Sequence, residues 1–304
     1  MKSEEIKQVL VVGAGTMGQQ ITVPCITHGL NVVIYDIHDA MLQKAVARIR
    51  KMLDGLVKWQ KITADDADAA MKRVRTTTDL PEAARDIDIV SESVPEDPKL
   101  KGEIFAKIHA ACPERTIFTT NTSTLLPSMF AGATGRPEKL AALHFHDVRI
   151  STIVDVMPHP GTAQETMELV RDFAVRIGQT PIVMERESPG YVFNFMLSNL
   201  FQSAQTLAAN GVASVEDVDR SWMGVTHMVT GPFGIMDSVG LDTVWKITNY
   251  WAQALKNPQQ LKNAAFMKEY VDRGHLGEKT GRGFYTYPKP RFRDPDFIAG
   301  AGNK

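Results

Sequence analysis

A glycine-rich loop near the start of the chain constrains the fold more than any other stretch. The strand-like segment Gln8–Val12 runs directly into a G-x-G-x-x-G loop, and a helical segment follows. In such a loop the first glycine permits a tight turn, the second lets the backbone approach a pyrophosphate, and the third lets helix and strand pack closely. The free N–H groups of the helix N-terminus favour phosphate. The sequence therefore predicts a dinucleotide site that includes Gly13, Gly15, Thr16, Met17 and Gly18.

An aspartate at the end of the next strand selects the cofactor. Asp36 follows the predicted strand Asn31–Tyr35 and lies about 20 residues beyond Gly15, where the acid that binds the ribose hydroxyls is expected. A carboxylate at this position accepts hydrogen bonds from the hydroxyls and repels a 2′-phosphate, and the next three residues include no arginine to bind one. The sequence predicts NAD as the cofactor.

Composition sets the broad class of the protein. A chain of 304 residues, 43% hydrophobic and 23% charged, is typical of a globular protein of about two domains. The net charge of −1 gives no reason to expect a nucleic acid as partner, and no apolar run approaches the ~20 residues of a membrane span. Cys25 and Cys112 form no disulfide or metal pattern, and no leader peptide is evident. We therefore expect a cytoplasmic protein with no membrane partner.

Three polar residues lie where predicted strands end. Glu96, Ser123 and His144 each lie at or just beyond the end of an apolar segment in the first half of the chain. Ligands bind beyond the carboxyl ends of the strands in open α/β sheets. We therefore expect the three side chains to line one cleft.

The character of the chain changes near residue 187. Strand and helix patterns alternate before this point, whereas only helical patterns follow it. The sequence predicts an α/β Rossmann-like domain at residues 1–187 and an all-α domain at residues 188–304. The helical segment Tyr191–Asn210 is apolar over most of its surface and must be covered on more than one side. We expect a second subunit to cover it.

Several short motifs resemble the 3-hydroxyacyl-CoA dehydrogenase family, in the same order along nearly the whole chain. Besides the glycine loop they are Val94-Pro95-Glu96-Asp97, Asn121-Thr122-Ser123-Thr124-Leu125, His144-Phe145, Pro189-Gly190-Tyr191-Val192-Phe193-Asn194, Gly231-Pro232-Phe233 and Lys279-Thr280-Gly281-Arg282-Gly283-Phe284-Tyr285. The resemblance implies a nucleotide-binding α/β domain followed by a helical dimerisation domain, and hence a homodimer.

The resemblance also implies roles for individual residues. His144 is the expected general acid/base, because an imidazole can take the hydroxyl proton as hydride leaves the same carbon for NAD. Asp155 stands closest to the glutamate that orients this histidine in the family, although it is one methylene shorter and one position nearer along the chain. Ser123 is expected to donate to the reacting oxygen, with Asn194 as its partner. The expected cofactor contacts outside the loop and Asp36 are Glu96, Lys101, Ser123 and Lys279.

Two residues beside His144 depart from the family pattern. The family usually reads His-Phe-Phe-Asn-Pro, whereas this chain has His144-Phe145-His146-Asp147-Val148. His146 would share a strand face with His144, so it could share the proton transfer, and Asp147 could face the substrate. The adjacent His-x-His-Asp residues also resemble metal ligands. Because no further ligand at a suitable spacing along the sequence is evident, no metal is predicted.

A basic stripe on the predicted helix Ala40–Trp59 bears on the substrate. This stripe is either a solvated face or a binding surface for the phosphates of coenzyme A. Met52 and Trp59 occupy positions where the family makes polar contacts to coenzyme A, which weakens the second interpretation without excluding it. The stripe consists of Lys44, Arg48, Lys51 and Lys58.

The sequence as a whole predicts an NAD-dependent dehydrogenase of a secondary alcohol. The favoured substrate is the L-3-hydroxy group of a short acyl-CoA. One alternative is a free small hydroxy acid, since the family also includes gulonate and carnitine dehydrogenases. Another is a non-catalytic protein that keeps the NAD site, as a lens crystallin relative of the family suggests. The retained His144, Ser123 and Asn194 argue against this last alternative.

Overall fold

Strand β1, Gln8–Val12, lies inside the fold, and its apolar side chains are buried on both faces of the sheet. Val9 and Val11 belong to one apolar cluster, whereas Leu10 and Val12 belong to another. Such an uninterrupted apolar run is typical of a strand in a parallel sheet that is covered by helices on both sides.

The strands form one eight-stranded sheet in the order β3-β2-β1-β4-β5-β6-β7-β8. All neighbouring pairs are parallel except β6 and β7, which are antiparallel. The strands after β1 are β2 Asn31–Tyr35, β3 Val74–Thr77, β4 Ile89–Glu92, β5 Ile117–Thr120, β6 Leu140–Phe145, β7 Ile153–Met157 and β8 Thr180–Val183. This is the Rossmann-like arrangement that the sequence predicts.

Helices cover the two faces of the sheet. Helices α1, α2, α3 and α6 contribute to the cluster that contains Val9, and α4 and α5 contribute to the cluster that contains Leu10. Their bounds are α1 Thr16–Thr27, α2 Asp39–Lys58, α3 Ala64–Met71, α4 Leu80–Ala84, α5 Pro98–Ala111 and α6 Gln164–Arg176. The sheet and its helices form a unit that ends at Val192.

The antiparallel pair at one side of the sheet sets the geometry of the site. In the β6–β7 register His144 lies directly opposite Asp155. Residues that face each other in an antiparallel pair project to the same side of the sheet. The fold therefore brings together two residues that are 11 positions apart in the sequence.

The second unit begins at Phe193 and is helical. The computed structural model describes residues 1–300, and within this range the second unit contains α7 Phe193–Ala209, α8 Val215–Thr226, α9 Pro232–Val239, α10 Leu241–Leu255 and α11 Pro258–Asp272. The all-α character predicted for this part of the chain is confirmed. None of the helices in residues 1–300 has the combination of length and apolarity that is needed to cross a bilayer.

A buried aspartate ties the C-terminal segment to the helices of the second unit. Asp219 on α8 is fully buried and accepts hydrogen bonds from the N–H groups of Phe233 and Gly234, at 2.8 and 2.9 Å. The hydroxyl of Tyr285 donates to the same carboxylate at 2.9 Å. Burial raises the pKa of Asp219 to about 6, although the three hydrogen bonds act in the opposite direction. These three hydrogen bonds give Asp219 a structural role.

Candidate active site

The glycine loop has the shape that a dinucleotide requires. Gly13 has a φ of +102°, and a Cβ there would lie 2.7 Å from the carbonyl oxygen of Ser93. A Cβ on Gly18 would lie 1.9 Å from the carbonyl oxygen of Gly13, so only glycine lets α1 approach β1. A Cβ on Gly15 would meet nothing within 4 Å. The open side of Gly15, just before Thr16 at the start of α1, therefore leaves room for a pyrophosphate to reach the backbone N–H groups.

The carboxylate of Asp36 is held beside this loop. Its Oδ2 accepts from the N–H of Ala14 at 2.9 Å and its Oδ1 accepts from the N–H of His38 at 3.0 Å. These two bonds fix the orientation of the side chain at the end of β2. The residues of the loop and Asp36 therefore fit NAD, with the carboxylate available to the ribose hydroxyls.

A buried ion pair lies beneath the loop that follows β4. The ammonium group of Lys101 lies 2.7 Å from Oε1 of Glu92, and both side chains are at most 1% exposed. Glu92 also accepts from the hydroxyl of Thr120 at 2.6 Å and from the N–H of Val94 at 2.7 Å. Burial raises the pKa of Glu92, and Lys101 opposes that rise. Because its ammonium group is enclosed in this way, Lys101 supports the loop from below; the cofactor contact expected for it stays a prediction.

Glu96 connects the loops that follow β4 and β5. Its Oε1 accepts from the hydroxyl of Thr122 at 2.7 Å and from the N–H of Ser123 at 2.9 Å, and the ammonium group of Lys101 lies 3.3 Å from its Oε2. Burial raises the pKa of Glu96, but these hydrogen bonds and Lys101 together hold it below its usual range. The carboxylate is therefore charged, and it positions Ser123 at the carboxyl edge of the sheet.

His144 and His146 share one carboxylate. Nδ1 of His144 lies 3.0 Å from Oδ2 of Asp155, and Nε2 of His146 lies 3.2 Å from the same oxygen. Burial alone would raise the pKa of Asp155, but hydrogen bonds from the two imidazoles lower it to about 2. A charged carboxylate only accepts hydrogen bonds, so each of these ring nitrogens carries a hydrogen. Nε2 of His144 is therefore the nitrogen that is left to accept a proton.

The same three residues correct one expectation. The sequence shows no third spaced ligand beside the two histidines, whereas the fold supplies Asp155 from the neighbouring strand, and the three donor atoms lie within 4.8 Å of one another. The chain position of Asp155 hides this relation, because the antiparallel register creates it. Both imidazoles are directed at one carboxylate oxygen, so hydrogen bonds explain the arrangement; the absence of a metal stays a prediction.

Asp147 already has a partner of opposite charge. Its Oδ1 accepts from the backbone N–H and from Nε of Arg149, at 3.0 and 2.8 Å, and a second guanidinium nitrogen bonds its Oδ2. These hydrogen bonds from Arg149 lower the pKa of Asp147. A cationic substrate would have to compete with Arg149 for this carboxylate.

The basic stripe lies on the exposed side of α2. The opposite side is buried against the sheet through Leu42, Ala45, Ile49 and Leu53. The four residues of the stripe, Lys44, Arg48, Lys51 and Lys58, are exposed. Amphipathic burial alone accounts for this placement, so the structure leaves the stripe available to a ligand without requiring one.

Two predicted site residues belong to the second unit. Asn194 lies in the first turn of α7, where its carbonyl oxygen accepts from the hydroxyl of Ser198 at 2.5 Å. Lys279 forms an ion pair with Asp242. The roles of Asn194 and Lys279 at the active site stay predictions.

Sequence reasoning assigned no role to Glu92 or Tyr191. For Glu92 the sequence contains a usable signal: an acid at the end of the buried strand β4 requires a partner. The ring centre of Tyr191 lies 4.8 Å from that of His144. No local pattern marks this contact, since the two residues are far apart in the sequence.

Comparisons with known proteins cover almost the whole chain. The family model described as 3-hydroxyacyl-CoA dehydrogenase, NAD binding domain, matches residues 8–188. The model described as 3-hydroxyacyl-CoA dehydrogenase, C-terminal domain, matches residues 190–287. A probable 3-hydroxyacyl-CoA dehydrogenase of Caenorhabditis elegans is 32% identical over 292 residues, which cover 94% of this chain and 97% of the relative.

Solved structures agree with these matches. A diketoreductase, whose structure is described as showing substrate-directed dual catalysis of dicarbonyl compounds, is 38% identical with a TM-score of 0.86, and the match covers 93% of this chain and 99% of that chain. The (S)-3-hydroxybutyryl-CoA dehydrogenase of Ralstonia eutropha is 34% identical with a TM-score of 0.85, and the match covers 94% of this chain and 100% of that chain.

The position of Asp36 generates a prediction about cofactor choice. The wild-type protein should turn over far more efficiently with NAD than with NADP. Asp36→Ala should weaken NAD binding by about 10–100-fold, the value of a charged hydrogen bond, and narrow the preference. Steady-state kinetics with each cofactor would measure the preference, and titration would measure binding. Asp39→Ala, on the exposed start of α2, is the control. Equal wild-type efficiency with the two cofactors would contradict the prediction.

The buried ion pair generates a prediction about stability. Lys101→Met should lower the free energy of unfolding by about 3–5 kcal/mol, because Glu92 would lose its buried counter-charge. Lys99→Met is the matched control, since the side chain of Lys99 is 87% exposed and its ammonium group lies 4.0 Å from Glu103. Urea unfolding would measure both changes. If the two variants lose the same free energy of unfolding, the prediction that the buried pair stabilises the fold is wrong.

Proposed function

The chain belongs to the 3-hydroxyacyl-CoA dehydrogenase family, and we propose that it oxidises the L-3-hydroxy group of a short acyl-CoA to the 3-oxo group with NAD. The observation that carries this proposal is the buried pair of His144 and Asp155 at the same edge of the sheet as the glycine loop. A dehydrogenase needs a proton acceptor beside a dinucleotide site, and this edge provides both.

The proton step follows from the hydrogen bonds of His144. Its Nδ1 donates to Asp155, so its Nε2 can take the proton of the substrate hydroxyl as the C3–H bond breaks. NAD, when bound, accepts the hydride from that carbon. The negative charge of Asp155 stabilises the imidazolium that forms, and the fixed carboxylate keeps the ring oriented. In the reverse direction His144 returns the proton to the oxygen.

Ser123 is suited to hold the reacting oxygen. Glu96 binds the backbone N–H of Ser123 at 2.9 Å, whereas its contact to the Ser123 hydroxyl is 3.5 Å, the weaker of the two. The hydroxyl can therefore turn toward a substrate oxygen while the backbone stays in place. In this proposal Ser123 donates to the oxygen that His144 serves, and Asn194 keeps the partner role that the family resemblance implies.

His146 is a positioning residue in this proposal. It donates to the same oxygen of Asp155 as His144, and the two imidazole ring centres are 4.7 Å apart. With two N–H donors, Asp155 keeps its charge to lower pH than an ordinary aspartate, since its pKa is about 2. The support from Asp155 is therefore present above pH 4 and is lost only as the pH falls toward 2.

A substrate without coenzyme A is the second candidate. It is favoured by the 38% identity to a diketoreductase that acts on dicarbonyl compounds. The ion pair between Asp147 and Arg149 speaks against a cationic version of this substrate. Assays with 3-hydroxybutyryl-CoA, with a free 3-hydroxy acid and with a free dicarbonyl compound would separate the two candidates.

The second unit exposes apolar side chains that suit a homodimer. On α10 the side chains of Ile247, Tyr250, Trp251 and Leu255 are between 43% and 65% exposed, and on α7 Phe195 and Met196 are also exposed. Large exposed apolar groups on one unit mark interaction surfaces. We propose that a second copy of this chain covers α7 and α10.

The assignment of the base is open to a direct test. His144→Gln should lower kcat by about 10²–10⁴-fold and leave NAD affinity nearly unchanged, because the proton acceptor is lost and the dinucleotide loop is intact. His146→Gln should cause a smaller loss. Steady-state kinetics and NAD titration would measure both variants. Near-normal turnover of His144→Gln together with a collapse of His146→Gln would identify His146 as the base.

The basic stripe provides a test of the coenzyme A group. If Arg48 and Lys51 bind its phosphates, Arg48→Glu and Lys51→Glu should each raise KM by about 2–5-fold with a smaller effect on kcat. KM should also rise with ionic strength, since the Debye length falls to about 3 Å at 1 M salt. Lys107→Glu, on the exposed side of α5 across the sheet, is the control for net charge.

The result for a free substrate should differ. A small hydroxy acid has no long anionic tail that could reach α2, so the same reversals should leave its KM unchanged. If the wild-type protein oxidises a free hydroxy acid and no acyl-CoA, the proposed substrate is wrong.

A further inference from the structure

Tyr191 contains a buried hydroxyl group whose partner is missing. The residue is 2% exposed, and within residues 1–300 its hydroxyl has no hydrogen-bond partner from the protein. A buried hydroxyl without a partner costs stability, so its retention requires an explanation. Its ring packs with Ala142 and Met157, but a phenylalanine ring would provide the same packing.

The backbone of Tyr191 is also costly. Its φ is +56°, in the left-handed region that side chains other than glycine rarely adopt, and its N–H donates to the carbonyl oxygen of Ser188 at 3.1 Å to close a turn. This turn brings the tyrosine back onto the end of the sheet. Strained backbone of this kind concentrates at functional sites. Two independent features of Tyr191 therefore act against stability.

The ring that carries the unpaired hydroxyl of Tyr191 lies against His144. Its centre lies 4.8 Å from the centre of the His144 ring, with the ring planes inclined at 35°. His144 is the residue that serves the reacting oxygen in the proposed function. The phenol ring therefore lies beside the residue that takes the proton in the proposed function.

The charges nearby decide how the phenol can act. Burial raises the pKa of Tyr191 far above its ordinary value, and the negative charges of Glu96 and Asp155 raise it further. The hydroxyl therefore stays protonated and acts as a donor. Because the same carboxylates would repel an anion, the acceptor that suits this place is a neutral oxygen, such as a carbonyl oxygen.

We propose that the Tyr191 hydroxyl donates a hydrogen bond to the thioester carbonyl oxygen of the substrate. This inference rests on the proposed function. A 3-hydroxyacyl thioester has only two oxygens near the reacting carbon, the C3 hydroxyl and the C1 carbonyl. His144 and Ser123 serve the first, and the unpartnered hydroxyl of Tyr191, whose ring lies beside His144, is the donor proposed for the second. Tyr191 would then position the substrate and select for a carbonyl two carbons from the reacting centre.

Tyr191→Phe tests this proposal because it removes only the hydroxyl. The melting temperature of the free protein should rise by about 2–4 °C, since an unpaired buried group is removed. The kcat/KM for 3-hydroxybutyryl-CoA should fall by about 3–10-fold, the value of one neutral hydrogen bond, with NAD affinity unchanged. Tyr285→Phe is the matched control, because that buried hydroxyl donates to Asp219. It should lower the melting temperature and leave the kinetics unchanged.

A thioether analogue identifies the oxygen. S-(3-hydroxybutyl)-CoA has no C1 carbonyl oxygen, so wild type and Tyr191→Phe should oxidise it with equal kcat/KM. An equal loss with both substrates, a change in NAD affinity, or a lower melting temperature with unchanged kinetics would each overturn the proposal. No turnover of 3-hydroxybutyryl-CoA by the wild type would refute the proposed function itself, whereas turnover that Tyr191→Phe leaves unchanged would refute only the role of Tyr191.

Discussion

The chemistry of the site depends on the antiparallel register between β6 and β7. This pairing holds His144 directly opposite Asp155 and lets a short aspartate reach Nδ1 at 3.0 Å. Because the strands supply the alignment, the side chain does not need the additional methylene of a glutamate. The same face of the sheet receives His146, whose bond to the shared oxygen completes the set of donors around the carboxylate. An altered register would separate His144 from Asp155.

Negative charge accumulates at the carboxyl edge of the sheet, and each carboxylate is stabilised in a different way. Glu92 is paired with a buried ammonium group, Glu96 accepts from several donors of the next loop, and Asp36 accepts from backbone N–H groups. These partners are supplied by different elements, so the charge of the edge is balanced by helices and loops together. The arrangement explains how a site that binds an anionic dinucleotide can contain several acids. Each of these acids is hydrogen-bonded or paired with groups of the protein itself.

Two costly features of the first unit lie at the carboxyl edge of the sheet, where His144 also lies. Lys101 and Glu92 are both withdrawn from water, and Tyr191 combines a left-handed backbone with a buried hydroxyl. Away from this edge, apolar side chains pack on the two faces of the sheet. Strained backbone and an unpaired buried group close to a candidate site are what is expected when stability is lost in exchange for binding or catalysis.

The sequence by itself determined the features that depend on local chemistry. Only glycine can occupy positions 13 and 18 in the loop, and Asp36 follows its strand at the distance that a ribose requires, so the dinucleotide fold and the choice of NAD could be predicted. The tertiary structure decided which groups meet: Asp155 with two histidines, Lys101 with Glu92, and Tyr191 with His144. Most of these contacts join residues from separate elements. They depend on strand register and burial, which are properties of the folded chain and leave no local pattern in the sequence.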